Sequence, residues 1–163
     1  MGLALNFWVN PESCGNHEYY ENYIRFMAVS DWNGGLGTSF AYIRKTDEGE
    51  KMLGFITLRA SSYTKIYEGR LHGDPAIEIF NLAVSKDVEH QGIGAALMKF
   101  AFSMADKIGR RLIGIRYVTV CADKEAVGFY EKMGFGKIEE YGEIPRDNMN
   151  EGCVPMFLRI RQS

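Results

Sequence analysis

The chain has 163 residues, 46% of them hydrophobic and 25% charged, enough to close one sizeable core, and it reads as a single domain over 1–163. Its formal net charge of −2 argues against strong, non-specific binding of nucleic acid, and no apolar run reaches the ~18 residues of a membrane-spanning helix. The three cysteines, Cys14, Cys121 and Cys153, are odd in number and widely spaced, which fits neither a disulfide framework nor a zinc site and points to a reducing cytoplasm.

The N-terminus, Met1-Gly2-Leu3-Ala4-Leu5-Asn6, lacks the basic region of a signal peptide. Leu3 to Val9 is a short apolar run that predicts a first strand, broken by Asn10-Pro11-Glu12-Ser13. A helix is predicted from His17 to Ser30, capped by Asn16, with Tyr20, Tyr23, Ile24, Met27 and Ala28 along one face. That aromatic stripe is read as core packing. Asp31 to Gly37 is a loop or a frayed helix end. Thr38 to Arg44 alternates like a strand, and Thr46 to Glu50 is a polar hairpin turn. Met52 to Ala60 is the next strand, with Gly54 marking a bulge or a close backbone approach. Ser61 to Pro75 reads as a long, polar, irregular loop, of the kind that is more often functional than structural.

The central stretch is Glu78 to Ala96. A strand from Ala76 to Val84 is followed by the polar turn Ser85 to His90. Then comes the glycine-spaced loop Gln91-Gly92-Ile93-Gly94-Ala95-Ala96. A helical pattern follows directly, with Leu97, Phe100, Ala101, Met104, Ala105 and Ile108 at helix spacing. Strand, glycine loop and helix together aim backbone N–H groups and a helix N-terminus at one spot, which suits a phosphate or pyrophosphate without any lysine or arginine. Two glycines also suit an ordinary tight connection. The loop is neither a dinucleotide fingerprint nor a Walker loop, since it has no third glycine and no Gly-Lys-Ser/Thr.

Gly109 is expected to end the long helix, and Leu112 to Val120 to form a strand. A short helix is predicted over Asp123–Met133, with Asp123 as its N-cap and Gly134 as its left-handed end. Lys137–Ile144 and Val154–Ile160 are two further strands, joined by Pro145 to Gly152.

Strand Leu82-Ala83-Val84, loop Gln91 to Ala95, and Phe129-Tyr130-Glu131-Lys132-Met133-Gly134-Phe135 together resemble the GCN5-related N-acetyltransferase (GNAT) superfamily, in that order and spacing. Two positions depart from its pattern. Glu89 stands where Gln or Arg is usual, and Asp123 where Asn is frequent. The resemblance implies an α/β fold, a mixed and mostly antiparallel sheet flanked by helices and splayed at the central strand. It also implies acetyl-CoA as co-substrate; no metal is expected, because no His/Cys/Asp/Glu set has ligand spacing. Backbone groups of Leu82, Ala83 and Val84 would pair with the pantetheine arm, which would enter beside Leu112–Val120. The pyrophosphate would rest on Gln91, Gly92, Ile93, Gly94, Ala95 and Ala96. Asp123, Phe129, Tyr130 and Lys132 belong to the same cofactor set by the match.

The resemblance places Tyr130 as the acid that protonates the departing thiolate, since a phenol titrates near 10 and a thiol near 8.5. Its alternative is a buried tyrosine that only satisfies the core. Glu78 is the candidate base. Alternation puts it on one face with Phe80, Leu82 and Val84, and a carboxylate among apolar neighbours is poised to take a proton. Its alternatives are a solvated strand end or a charge that binds the acceptor, with water as base. His90 either touches phosphate or is a solvated turn residue. His17 and His72 read as surface, and Cys121 as a buried core cysteine.

The expected reaction is direct acetyl transfer to a primary amine in a ternary complex. Residues 1–81 carry 7 basic and 10 acidic side chains, which favours a cationic acceptor. Glu12 to Asn16, the tyrosine-rich helix and Gly54-Phe55-Ile56-Thr57-Leu58 also resemble a GNAT subgroup that includes toxins acetylating aminoacyl-tRNA. The acidic first half leaves that as the alternative, together with a non-catalytic acyl-CoA sensor. A homodimer is compatible with the C-terminal strand.

Overall fold

The computed structural model describes residues 18–47, 49–138 and 153–160. The predicted strand at Leu3–Val9, the Asn16 cap, Cys14, His17, the Glu12–Asn16 segment, most of the Lys137–Ile144 strand and the Pro145–Gly152 connection lie outside them.

The elements run α1 (Glu18–Asn22), a π-helical turn (Tyr23–Met27), α2 (Ala28–Asn33), β1 (Thr38–Thr46), β2 (Gly49–Tyr67), β3 (Arg70–Val84) and a 3-10 turn (Lys86–Val88). They continue with α3 (Ile93–Arg111), β4 (Tyr117–Ala122), a second 3-10 turn (Lys124–Ala126), α4 (Val127–Lys132), β5 (Gly136–Lys137) and β6 (Val154–Arg159). The strand order is β1-β2-β3-β4-β6-β5. β3 and β4 run parallel, while β1–β2, β4–β6 and β5–β6 are antiparallel. This is the expected mixed, mostly antiparallel sheet with flanking helices. The chain divides into two compact units, Met1–Arg59 with Asn81–Phe100 and Ala60–Phe80 with Ala101–Ser163. The division crosses β3 between Phe80 and Asn81.

In the first unit, β1 and β2 form a hairpin in which Thr46 pairs with Gly49. Tyr42 pairs with Gly54 and Ile43 with Met52, so Leu53 is the extra residue of a bulge. Phe55, fully buried, stacks on Tyr23 with centroids 6.3 Å apart and meets Tyr20 edge-on. That contact holds the helical segment on the sheet and bears out the stripe as core packing. Met27 departs from it and is 51% exposed, because the π-helical turn adds a residue and rotates the following positions off the predicted face.

The largest correction concerns Ser61–Pro75. It is a hairpin rather than an irregular loop: β2 runs to Tyr67 and β3 starts at Arg70. Glu68 and Gly69 both have positive φ, 50° and 72°, as a two-residue hairpin turn requires. Among the described side chains of Ser61–Pro75 none is fully buried, and those from Tyr67 to Gly73 are exposed, so no core demands apolar residues there. Ion pairs reinforce the pairing, since Asp74 lies 3.1 Å from both Lys65 and Arg116.

The second unit packs Tyr63, Tyr117 and Phe157 together, with centroids 4.7 to 5.8 Å apart, over the fully buried Val118 and Met156. Two boundaries here differ from expectation. Helix α3 passes through Gly109 to Arg111, and β4 begins only at Tyr117. A Cβ on Gly109 would meet Ile115 at 3.4–3.5 Å, so this glycine serves the close return of the chain rather than a helix end. Leu112 and Ile113 are 74% and 64% exposed and belong to the turn, despite their strand-like character.

Cys121 and Cys153 are disulfide-bonded, with Cα atoms 5.5 Å apart. This overturns the expectation of no disulfide, and of a buried free Cys121. Cys121 lies on β4, opposite Pro155 of the adjacent β6, and Cys153 immediately precedes β6. Sequence spacing cannot reveal such a contact, because 32 residues separate the two cysteines.

Candidate active site

The site-bearing residues begin at the end of β3. Ile79, Asn81 and Ala83 are buried, while Glu78, Phe80, Leu82 and Val84 are half-buried, so the predicted period-2 face is present. Glu78 is not at the start of a strand, because β3 begins eight residues earlier. It lies mid-strand and pairs with Thr119 across the parallel ladder. A Cβ on Gly54 would fall 2.7 Å from the Ala83 carbonyl and 3.4 Å from Ile93 and Leu97. Glycine there lets β2, the end of β3 and the start of α3 come together. The Ser85 N–H donates to the Leu53 carbonyl at 2.8 Å, closing the strand end.

The chain then turns through Lys86–Val88. Val88 is buried, and Lys51 pairs with Asp87 at 3.1 Å. His90 and Gly92 both take positive φ, 61° and 85°. Gly92 is needed for this backbone conformation: a Cβ there would meet nothing within 4 Å, yet the left-handed angle disfavours one. Helix α3 starts at Ile93, so Gly94, Ala95 and Ala96 form its first turn and not a loop, as the sequence pattern suggested. The Ala96 N–H closes on the Gly92 carbonyl at 2.9 Å. Helix geometry therefore leaves the N–H groups of Ile93, Gly94 and Ala95 without intrahelical partners, at the positive end of a 19-residue helix. Space in front of Gly92 and outward-pointing donors fit a pyrophosphate. His90, Gln91 and Glu89 are exposed around this end, with Gln91 Nε2 donating to the Asp87 carbonyl at 3.4 Å.

The second unit carries the other predicted residues. Asp123 precedes the 3-10 turn and accepts the Ala126 N–H through its carbonyl, but its side chain makes no cap. Phe129 and Tyr130 follow on α4. Tyr130 is buried, edge-on to Phe129 at 5.2 Å and to Phe135 at 5.6 Å. Gly134 has φ 93° and ends the helix as predicted, with the Phe135 N–H returning to the Tyr130 carbonyl at 3.0 Å. Lys132 is exposed on the last turn. Among the described residues no group of His, Cys, Asp and Glu could hold a metal ion, and no helix is long and apolar enough to cross a membrane.

A polar group in the first unit went unread in the sequence. Tyr23 donates to Asp31 Oδ2 at 2.8 Å, and Ser39 and Thr57 share a hydrogen bond of 2.8 Å. Burial pushes both Tyr19 and Tyr23 above the usual phenol range; the Asp31 charge adds to this, and for Tyr19 the Arg59 guanidinium opposes it. Asn81, 3% exposed, belongs to the same group. One signal could have found it: Asn81 interrupts an apolar strand at a position whose alternation partners, Ile79 and Ala83, are core.

No curated protein matches the chain. Solved structures do. A tyrosine-to-phenylalanine mutant of the toxin AtaT, bound to acetyl-CoA and the C-terminus of the antitoxin AtaR, is 19% identical with a TM-score of 0.69, over 88% of this chain and 81% of that one. AtaT complexed with acetyl-methionyl-tRNAfMet is 20% identical with a TM-score of 0.70, over 90% and 86%. The KacTA–DNA complex is 20% identical with a TM-score of 0.73, over 96% and 87%. At these identities the likeness concerns the fold. The acetyltransferase (GNAT) domain profile matches residues 38–137, most of the chain, from β1 through α4 to β5. The chain therefore belongs to the GNAT acetyltransferase family, whose co-substrate is acetyl-CoA.

Proposed function

We propose that this protein moves the acetyl group of acetyl-CoA to a primary amine by direct attack in a ternary complex. The observation that carries the reading is the N-terminus of α3. There Gly92 holds a left-handed turn, and the N–H groups of Ile93, Gly94 and Ala95 have no intrahelical partner. The main chain of Leu82, Ala83 and Val84 would hold the pantetheine arm, and His90, Gln91 and Ala96 would border the pyrophosphate. Bound acetyl-CoA supplies an activated thioester. Glu78 takes the proton of the attacking amine, directly or through water. A backbone N–H near Leu82 or Val84 steadies the oxyanion. The Tyr130 hydroxyl returns a proton to the leaving thiolate. Phe129, Lys132 and Asp123 would complete the cofactor contacts. The first 81 residues carry three more acidic than basic side chains, which supports a cationic acceptor.

A second reading rests on the comparisons: solved structures that cover this chain well are those of toxins, one of them holding an acetylated aminoacyl-tRNA. The test is release of free CoA thiol from acetyl-CoA with a panel of small amines and with aminoacyl-tRNA, alongside growth on induced expression. Transfer to small cationic amines without growth arrest supports the first reading. Transfer confined to aminoacyl-tRNA with growth arrest supports the second. Tight acetyl-CoA binding without any transfer would leave a sensor domain in their place.

A further inference from the structure

The Cys121–Cys153 bond lies wholly within the second compact unit, which also carries Glu78 and Tyr130. Along β4, Val118, Val120 and Ala122 are buried, while Thr119 and Cys121 are half-buried on the opposite face. Thr119 pairs with Glu78 across the parallel ladder, so Cys121 stands on the same sheet face as Glu78, two residues further along. Cys153 is half-buried as well, which leaves the bond within reach of a small thiol in solution. Disulfides open to solvent are the reducible, regulatory kind. The 32-residue separation encloses Asp123, α4 with Tyr130, the Gly134 turn and β5. Among the described residues, this enclosed segment returns to β6 through two strand positions, Gly136 with Phe157 and Lys137 with Met156, and through the Ile138 N–H donating to the Pro155 carbonyl at 2.9 Å. β4 and β6 themselves pair at six positions, from Tyr117 with Arg159 to Ala122 with Val154, around the fully buried Val118 and Met156. The strands therefore stay paired when the bond opens, and the change falls on the segment that the bond closes.

Resting on the acyl-transfer reading, we propose that Cys121 and Cys153 form a reversible thiol–disulfide switch that sets turnover: the bonded form fixes the Tyr130 segment at the end of β4, and the reduced form loosens it. The co-reactant is a low-molecular-weight thiol such as glutathione. Its thiolate attacks one sulfur of the bond and forms a mixed disulfide, while the other cysteine leaves as thiolate and takes up a proton. A second small thiol then attacks the small-thiol sulfur of the mixed disulfide and releases the remaining cysteine. Two small thiols are thus oxidised to their disulfide, the two cysteines are reduced, and the two protons end on the cysteines; the oxidised dimer drives the reverse sequence. A proton donor held in one geometry works faster than one that wanders, so the bonded form is the more active.

The test uses the full chain carrying Cys14→Ser, so that one pair alone exchanges, equilibrated with oxidised or with reduced glutathione. Mass after alkylation of free thiols verifies each state. Turnover is read as acetyl-CoA consumption by chromatography, with the amine and aminoacyl-tRNA acceptors named above, because a thiol reagent would read the glutathione. Reduction is expected to lower kcat at least about fivefold, reversed by oxidised glutathione, and to speed amide hydrogen exchange over 123–138 at least about tenfold while leaving β1 and β2 unchanged. Adding Cys121→Ser and Cys153→Ser together should hold kcat at the reduced level under both conditions; should that variant fail to fold, Cys153→Ser alone takes its place. Equal kcat in the oxidised and reduced chain overturns the proposal, as does a redox response that persists without the pair, or exchange that rises evenly along the chain. No transfer in either state overturns the acyl-transfer reading and this control of it together; transfer that ignores the redox state overturns this inference alone.

Discussion

Tyr130 owes its placement to two neighbours that the sequence already shows. Phe129 and Phe135 flank it edge-on, and Gly134 turns the chain so that Phe135 can return to it. The ring is thus held at fixed geometry, which a proton donor needs. Tyr130→Phe keeps the packing and removes only the hydroxyl. It is expected to lower kcat by ~10²-fold or more while changing coenzyme A affinity less than about threefold. Equal turnover in both proteins would assign the hydroxyl to the core alone. Gly54 tests a different demand. Alanine there would place a methyl 2.7 Å from a backbone carbonyl, which cannot move as a side chain can. Gly54→Ala is expected to cost about 1–3 kcal/mol, read as a fall of several degrees in Tm by calorimetry. Gly54 was legible as a special position because glycine weakens a strand unless something approaches it closely. Asn81 and Asp31 were not read, because their meaning depends on which residues the fold brings beside them.

At the scale of elements, patterns with a strong period were legible and boundaries without one were not. β1, α3 and β6 follow from alternation or helical spacing. The π-helical turn at Tyr23–Met27 was illegible, since one inserted residue leaves no mark in composition. The β2–β3 hairpin was hidden for another reason. Its outer half faces solvent, so it lacks the buried face that makes a strand alternate. Its stability draws instead on Asp74 between Lys65 and Arg116. Burial raises the Asp74 titration, but the two cations outweigh it and hold the carboxyl below the ordinary range. A carboxylate lowered in the folded state stabilises fully above its unfolded value, near 4, and this contribution disappears as pH falls through the folded value. Asp74→Asn is therefore expected to melt a few degrees below the wild type at pH 7, with the gap closing below pH ~4. A gap independent of pH would show that the charge contributes nothing.

For the whole molecule, the match of strand, glycine turn, helix and the Phe129–Phe135 stretch made the family legible, because that order of motifs serves one task. The disulfide was not, since strands β4 and β6 meet only through the fold. Closing a loop of 32 residues is expected to stabilise by about 3–4 kcal/mol in the chain-entropy account. Reduction with dithiothreitol, or Cys121→Ser, should then lower Tm by several degrees; an identical Tm with and without reductant would deny the bond any structural role. The central claim concerns the N-terminus of α3, and calorimetric titration with coenzyme A against pantetheine addresses it directly. The two ligands share the arm that Leu82–Val84 would hold and differ in the pyrophosphate and nucleotide. Saturable binding of coenzyme A is predicted, at least about tenfold tighter than pantetheine and weakened to a similar degree in Gly92→Val. No heat of association with coenzyme A, or equal affinity for the two ligands, would contradict the account.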